Sequence, residues 1–436
     1  MRANIDLSSA LTEARARYAH NNPASRAQHD RALQVLPGGN TRTVLHFDPF
    51  PLLLTGGAGC RLWDADDHEY TDFLGEYTAG LFGHSEPRIR AAVVEAMDRG
   101  TLLSAPNRDE AELADLLCTR FPGVDRLRFC NSGTEANLMA VAAARAHTRR
   151  NGLVVMRGGY HGGVFMFKDG YNRVNVPYPY YYARFNDIDY TTALVDHHAA
   201  DIAAIMVEPV MGTGGALPAT REFLEALREA ADRHDIALLF DEVMTSRVSS
   251  GGAQKHYDVT PDLTSFGKYI GGGLTIGAFG GRADIIDLYD PRRPDALPHA
   301  GTFNNNVLTM AAGVTAMRDI YTPDVADAHN QRGEAFKERV NLYAREHGHP
   351  VVITGIGSLL CIHFNHAQVK TPADVHADIP DAAALCHLFM LEHGFYTSKT
   401  GLMSLSLPLD ADDYSGFEAA LQTFMDEFSE PLRRAA

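Results

Sequence analysis

Short apolar runs that end at a polar residue, alternating with longer stretches of helical pattern, recur through the middle of this chain. Leu127–Cys130, Leu153–Met156, Ile202–Val207 and Ile236–Phe240 are such runs. A helical pattern follows the first, from Ser132 to about His147, and another, Arg221–His234, leads into the last. Parallel neighbours in a sheet need a crossover long enough to hold a helix, so this alternation predicts an α/β fold with a mainly parallel sheet between helices. A further strand is expected near 275–282. Ligands in such folds gather beyond the carboxyl ends of the strands. The residues that follow these runs are therefore the first place to look for chemistry.

The flanks read differently. Residues 1–35 place Leu11, Ala14 and Tyr18 at helical spacing, as in a packing arm. Pro37–Arg42 is a turn-rich loop, and 44–63 and 69–74 alternate like strands, with Gly56-Gly57 and Asp66-Asp67 as turns. Pro87–Arg99 and Arg108–Arg120 are helical in pattern. The tyrosine-rich stretch 171–186 reads as irregular, and Gly301–Asn306 is expected to open a helix running to about Ile320. After Val325 come a helix, strands near 351–364, a helix over 380–393, strands near 395–407 and a helix over 413–428, the pattern of a smaller α+β unit. A chain of 436 residues is too long for one ordinary core. The expected division is an arm and hairpin over 1–70 packing with the small domain, a large domain over 71–324 and a small domain over 325–436.

Charge and composition exclude several functions. A net charge of −16 argues against a broad nucleic-acid surface, so an anionic substrate needs a local arginine or lysine. No apolar run is long enough to span a membrane, and the N-terminus has no secretory apolar core. Five scattered cysteines without a CxxC pair suggest a reduced, cytoplasmic protein. No metal-ligand spacing occurs among the histidines, and His197-His198 reads as exposed helix or loop.

Asp241 and Glu242 end one apolar run, and Lys268 lies downstream between Phe266-Gly267 and Tyr269-Ile270, ahead of Gly271-Gly272-Gly273. An acid at a buried strand end suits a pyridinium N–H, and a lysine in an apolar, glycine-rich setting suits imine formation with an aldehyde. Together they suit pyridoxal 5'-phosphate. Asp241 is otherwise a cap or an ion-pair partner, and Lys268 a surface lysine. Ser132, Gly133 and Thr134, at a strand-to-helix turn, form an anion cradle; Ser132 is equally a helix cap, with Glu135 completing a capping box. Glu208, before Pro209, orients cofactor or neighbours, or is a structural hydrogen-bonder. Tyr160, beside His161, stacks on a planar ring or belongs to the core. Thr302 is a second anion donor or a cap. Arg42 grips a substrate carboxylate or is merely solvated.

Taken in order, several motifs resemble those of class III, fold-type I aminotransferases, over about residues 30 to 430. They are Asn131–Ala136, Gly159–Gly162, Glu208–Val210, Asp241–Thr245, Thr264–Gly273 and Gly301–Phe303. Within the class, Glu76–Gly80, Lys268–Gly273, Gly301–Asn306 and Ser404–Leu409 look most like the aromatic β-amino acid (β-phenylalanine) aminotransferases, with glutamate-1-semialdehyde 2,1-aminomutases as related neighbours. The resemblance implies that Lys268 bonds the cofactor aldehyde and Asp241 pairs with the ring nitrogen. It also implies that Ser132, Gly133 and Thr134 hold the phosphate with Thr302 of a partner subunit, and that Tyr160 and Val243 cover the two ring faces. Arg42 would receive a substrate carboxylate, and the protein would be a homodimer with active sites at the interface. Where the β-phenylalanine enzymes carry a second arginine, this chain has Thr400 with Lys399 beside it. The implied reaction is ping-pong transfer of an amino group from a β-amino acid to a 2-oxo acid such as 2-oxoglutarate or pyruvate. The alternative is the intramolecular transfer of an aminomutase. No nucleic-acid or membrane partner is expected.

Overall fold

The computed structural model describes residues 6–168, 170–365, 369–376 and 378–435. Its central sheet has seven strands in the order Arg126–Cys130, Gly277–Gly281, Leu263–Gly267, Ala237–Asp241, Ile202–Val207, Gly152–Met156 and Tyr180–Ala183. All run parallel except Gly277–Gly281, which is antiparallel to both neighbours. Alternate residues feed two cores. Val154, Ile205, Val207, Leu238 and Phe240 join one apolar cluster, and Leu153, Val155, Met206, Ala237 and Leu239 join another. A sheet buried on both faces needs such near-continuous apolar strands.

Helices cover the two faces. Gly133–Thr148 presents Ala136, Ala140, Ala143 and Ala144, small residues that let it lie close to the sheet. Arg221–His234 packs Phe223, Leu224, Leu227 and Ala231 on the other face. Its start is fixed by the Thr220 hydroxyl, which accepts the Phe223 N–H at 3.1 Å.

A second assembly joins the two ends of the chain. Leu54–Ala58, Arg61–Asp64 and Glu69–Asp72 form an antiparallel ribbon, and Phe395–Tyr396 adds to Glu69–Asp72 in parallel. One apolar cluster combines Leu7, Leu11, Tyr18, Tyr70 and Phe73 with Phe336, Leu388, Phe417 and Phe424. Beside it, Val351–Ile356, Leu359–Phe364 and Leu402–Ser404 make a three-stranded antiparallel sheet.

Several expectations are corrected. The N-terminal arm is two helices, Leu7–Asn21 and Pro23–Ala32, because Pro23 can start a helix but not continue one. Gly56-Gly57 lies inside Leu54–Ala58 rather than at a turn; a Cβ on Gly57 would sit 2.7 Å from the His84 ring, so glycine is there for space. The tyrosine-rich stretch contains the edge strand Tyr180–Ala183, and the helix Ile188–His198 follows it. The helix expected from Gly301 begins only at Val307, where the Asn306 side chain accepts the Leu308 and Thr309 N–H groups; Thr302 is therefore not its cap. It passes into a π-helical turn over Thr315–Ile320.

Candidate active site

Two neighbouring strands bring the acid and the amine together. Asp241, the last residue of its strand, lies opposite Ser265 of the parallel strand Leu263–Gly267, and Lys268 follows directly. Both therefore emerge at one edge of the sheet and line a cavity of about 570 Å³ with Ser132, Gly133, Thr134, Tyr160, Glu208, Val243 and Arg42. That size suits a small organic ligand. Lys268 has a φ of 58°, a left-handed conformation that costs a non-glycine residue roughly 1–3 kcal/mol.

Asp241 is held on every side. Its Oδ2 accepts from Asn137 Nδ2 and His161 Nδ1, each at 2.9 Å, and its Oδ1 accepts from the Val243 N–H at 3.1 Å and the Ser265 hydroxyl at 3.2 Å. Burial pushes the carboxyl up, but the His161 hydrogen bond and charge, with the Val243 and Asn137 donors, outweigh it and hold Asp241 below its ordinary value. Burial likewise pulls His161 down, and the Asp241 carboxylate more than compensates, leaving the imidazole above its ordinary value. Both shifts favour the charged form of the pair; four donors already engage the carboxylate, so a ring N–H would be held by sharing one of its oxygens.

The amine is tuned the other way. Burial draws Lys268 down to about 8, against the opposing pull of the Asp241 and Glu208 carboxylates. Glu208 accepts the Tyr160 N–H at 2.9 Å and the Gly212 N–H at 3.0 Å, and burial pushes it up to about 7. Glu242 plays another part: buried, it accepts from Ala253 N, Gln254 N and Gln254 Nε2 and so fixes the helix Gly252–Tyr257.

The cradle lies at the start of Gly133–Thr148. The Ser132 hydroxyl accepts the Glu135 N–H at 3.2 Å, as a cap does, but the Glu135 carboxylate takes the Asn131 N–H at 2.8 Å rather than completing a capping box on Ser132. Thr134 Oγ1 accepts the Gly163 N–H at 3.1 Å and so ties the loop after Tyr160 to the cradle. A Cβ on Gly162, at φ 109°, would lie 2.3 Å from Thr134 Oγ1, so only glycine permits this closeness. A Cβ on Gly133 would meet both Val243 methyls at 2.9 Å. A helix start with free N–H groups, an ionised acid and an amine of lowered pKa around one cavity fit pyridoxal phosphate. Tyr160, 39% exposed, borders this cavity instead of the core.

The remaining sequence candidates divide. Arg42 lines the cavity, its guanidinium paired with Glu76. Thr302 lies apart, in a cleft with Thr101, Leu102 and Pro106. Lys399 and Thr400 are not among the residues lining the Lys268 cavity: Lys399 Nζ donates to the His46 carbonyl, and Thr400 Oγ1 pairs with Ser398 Oγ at 2.7 Å. Sequence reasoning missed the contacts of Asn137 and His161 with Asp241 and of Glu76 with Arg42. The only local signal was the position of His161 in the turn after a strand. Among the described residues no cluster of His, Cys, Asp or Glu could hold a metal ion, and no helix is long and apolar enough to cross a membrane.

Comparison with known proteins adds to this geometry. The family model described as aminotransferase class-III matches residues 45–413. The chain is 45% identical over 426 residues to the beta-phenylalanine transaminase of Variovorax paradoxus, covering 98% of each. It is 32% identical over 425 residues to a glutamate-1-semialdehyde 2,1-aminomutase of Brevibacillus brevis, covering 91% of this chain and 97% of that one. Among solved structures, a beta-phenylalanine aminotransferase from Variovorax paradoxus matches with a TM-score of 0.96 at 44% identity, over 97% of this chain and 98% of that one. A transaminase with PLP bound matches with a TM-score of 0.85 at 30% identity, over 95% and 99%.

Proposed function

The chain belongs to the class-III aminotransferases and works with pyridoxal phosphate, and we propose that it moves an amino group from an aromatic, β-phenylalanine-like β-amino acid to a 2-oxo acid in two half-reactions. The observation that carries the donor class is the near-full-length likeness to a protein named for that donor. The acceptor is 2-oxoglutarate or pyruvate.

When bound, pyridoxal phosphate supplies an aldehyde that takes the amino group and a ring that withdraws electrons from the amine-bearing carbon. The rest falls to this chain. Asp241, whose carboxyl His161 helps to hold below its ordinary value, would pair with the ring nitrogen and favour its protonated form. Ser132, Gly133, Thr134 and their helix start hold the phosphate, and Tyr160 and Val243 flank the ring. Lys268 would anchor the cofactor aldehyde, and its Nζ, when free, would take the proton from the amine-bearing carbon and return one. An amine near pKa 8 can both accept and release that proton at neutral pH. Glu208 orients the Tyr160 turn through its hydrogen bond to the Tyr160 N–H. Arg42 takes the substrate carboxylate.

Thr302, set apart from the Lys268 cavity of its own chain, fits a homodimer in which it serves the neighbour's phosphate. All five cysteines are unpaired, in keeping with a cytoplasmic enzyme.

A single-turnover experiment tests the donor. Adding β-phenylalanine without acceptor should bleach the absorbance of the bound cofactor, and 2-oxoglutarate or pyruvate should restore it. No bleaching would refute the donor assignment. Turnover of a substrate without any 2-oxo acid would point to aminomutase chemistry instead.

A further inference from the structure

Arg42 already holds a carboxylate, and it is the protein's own. Its guanidinium pairs with Glu76 and lies over the Tyr77 ring, 5.4 Å from the centroid. Arg42 and Ala79 line the cavity, whereas Glu76 pairs with the guanidinium without being one of the lining residues.

The turn that carries Glu76 is strained. Gly75, Glu76, Tyr77 and Thr78 have φ of 55°, 46°, 53° and 81° in succession, a left-handed run that side-chain-bearing residues enter at a cost. It is clamped from both sides. Ser404 Oγ accepts the Thr78 N–H at 2.9 Å and donates to the Leu74 carbonyl at 2.5 Å, and Arg247 reaches the Thr78 carbonyl from the core at 3.5 Å. What this strained turn places against the Arg42 guanidinium is the Glu76 carboxylate.

We propose that Glu76 is a stand-in for the substrate carboxylate: it occupies Arg42 until a substrate takes its place, and it thereby sets how strongly the site selects carboxylated amines. The proposal rests on the reading of Arg42 as the holder of that carboxylate. The two side chains are 44% and 53% exposed, so the pair is weak enough to exchange. A carboxylate inside the cavity, gripped by both arms of the guanidinium, forms the stronger pair. The Tyr77 face holds the guanidinium in place throughout. A ligand without a carboxylate gains nothing by displacing Glu76.

The test is binding to the intact holoenzyme, read by calorimetry, of 3-phenylpropionate and of the uncharged 3-phenyl-1-propanol. Variants are Glu76→Gln, which keeps the shape, and Glu76→Asn, which tolerates a left-handed φ better. The Kd for 3-phenylpropionate should fall about two- to fivefold in these variants, the order of a surface ion pair, with no change for the alcohol. In an Arg42→Ala background neither substitution should alter the Kd. An unchanged or raised Kd in both single variants, or a fall that persists without Arg42, overturns the proposal. If Arg42→Ala by itself leaves 3-phenylpropionate binding unaltered, the assignment of Arg42 fails, a result distinct from a failure of Glu76 alone.

Discussion

His161 Nδ1 and Asp241 Oδ2 meet at 2.9 Å, with the imidazole wholly shut off from solvent and the carboxylate nearly so. The contact helps to hold the strand-end carboxyl below its ordinary value, against burial, which pushes it up. Replacing His161 with Ala should let the Asp241 pKa rise and weaken its hold on a protonated ring nitrogen. A lost charge-assisted hydrogen bond corresponds to about a 10- to 100-fold fall in kcat. Steady-state kinetics, together with a pH titration of the cofactor absorbance, would separate this effect from simple loss of cofactor.

Among the described residues lining the cavity, Lys268 is the one lysine. Lys268→Ala should abolish multiple turnover, by at least about a thousandfold, while the Ser132–Thr134 cradle and Asp241 still retain some cofactor. Sustained turnover in that variant would remove Lys268 from its assigned part. The check is product formation over many equivalents, with bound cofactor counted by absorbance.

Glu208 offers a test through pH. Burial pushes it up to about 7; the His161 charge opposes the shift and the Asp241 charge adds to it. Because the folded value lies above the unfolded one, the stabilising contribution is fully present below pH of about 4.5 and is lost as pH rises through about 7. Glu208→Gln cannot ionise. Between about pH 5 and 8 the melting temperature of the cofactor-free variant should therefore decline less than that of the parent protein.

Arg247 is fully buried, and among the described residues no carboxylate pairs with it. Its Nε donates to Ser358 Oγ at 3.0 Å, and its terminal nitrogens reach the Leu405 and Thr78 carbonyls. It thus ties the strained Glu76 turn to two distant segments. Arg247→Met keeps most of the volume but removes the donor to the Ser358 hydroxyl and the Thr78 carbonyl, the Leu405 carbonyl keeping His329 Nε2 at 2.9 Å, and should destabilise the fold by about 2–4 kcal/mol. Denaturant unfolding with an unchanged m-value would register the loss.

Much of the fold was legible because periodicity reports burial. Pro87–Arg99, Arg108–Arg120, Arg221–His234 and Ile202–Val207 fall where the pattern placed them. Leu263–Gly267 escaped because Thr264 and Ser265 interrupt the apolar run, although both are fully buried. Tyr180–Ala183 escaped because an edge strand is only half covered, and its tyrosines resemble surface residues. In the site, the residues at strand ends and helix starts could be found locally. Asn137 and His161 could not, since their contacts with Asp241 depend on how separate elements pack. The same holds for Glu76, whose position depends on a clamp from Ser404 and Arg247.

The parallel pairing of Phe395–Tyr396 with Glu69–Asp72 has a consequence for how the chain is made. The apolar face of the arm, Leu7 to Tyr18, has its partners in Phe336 to Leu432. During synthesis those partners leave the ribosome on the order of tens of seconds after the arm does. The arm is therefore housed only after a much later stretch of the chain is made, and until then its apolar face has Phe47 and Phe50, which meet Tyr18, as its nearer company.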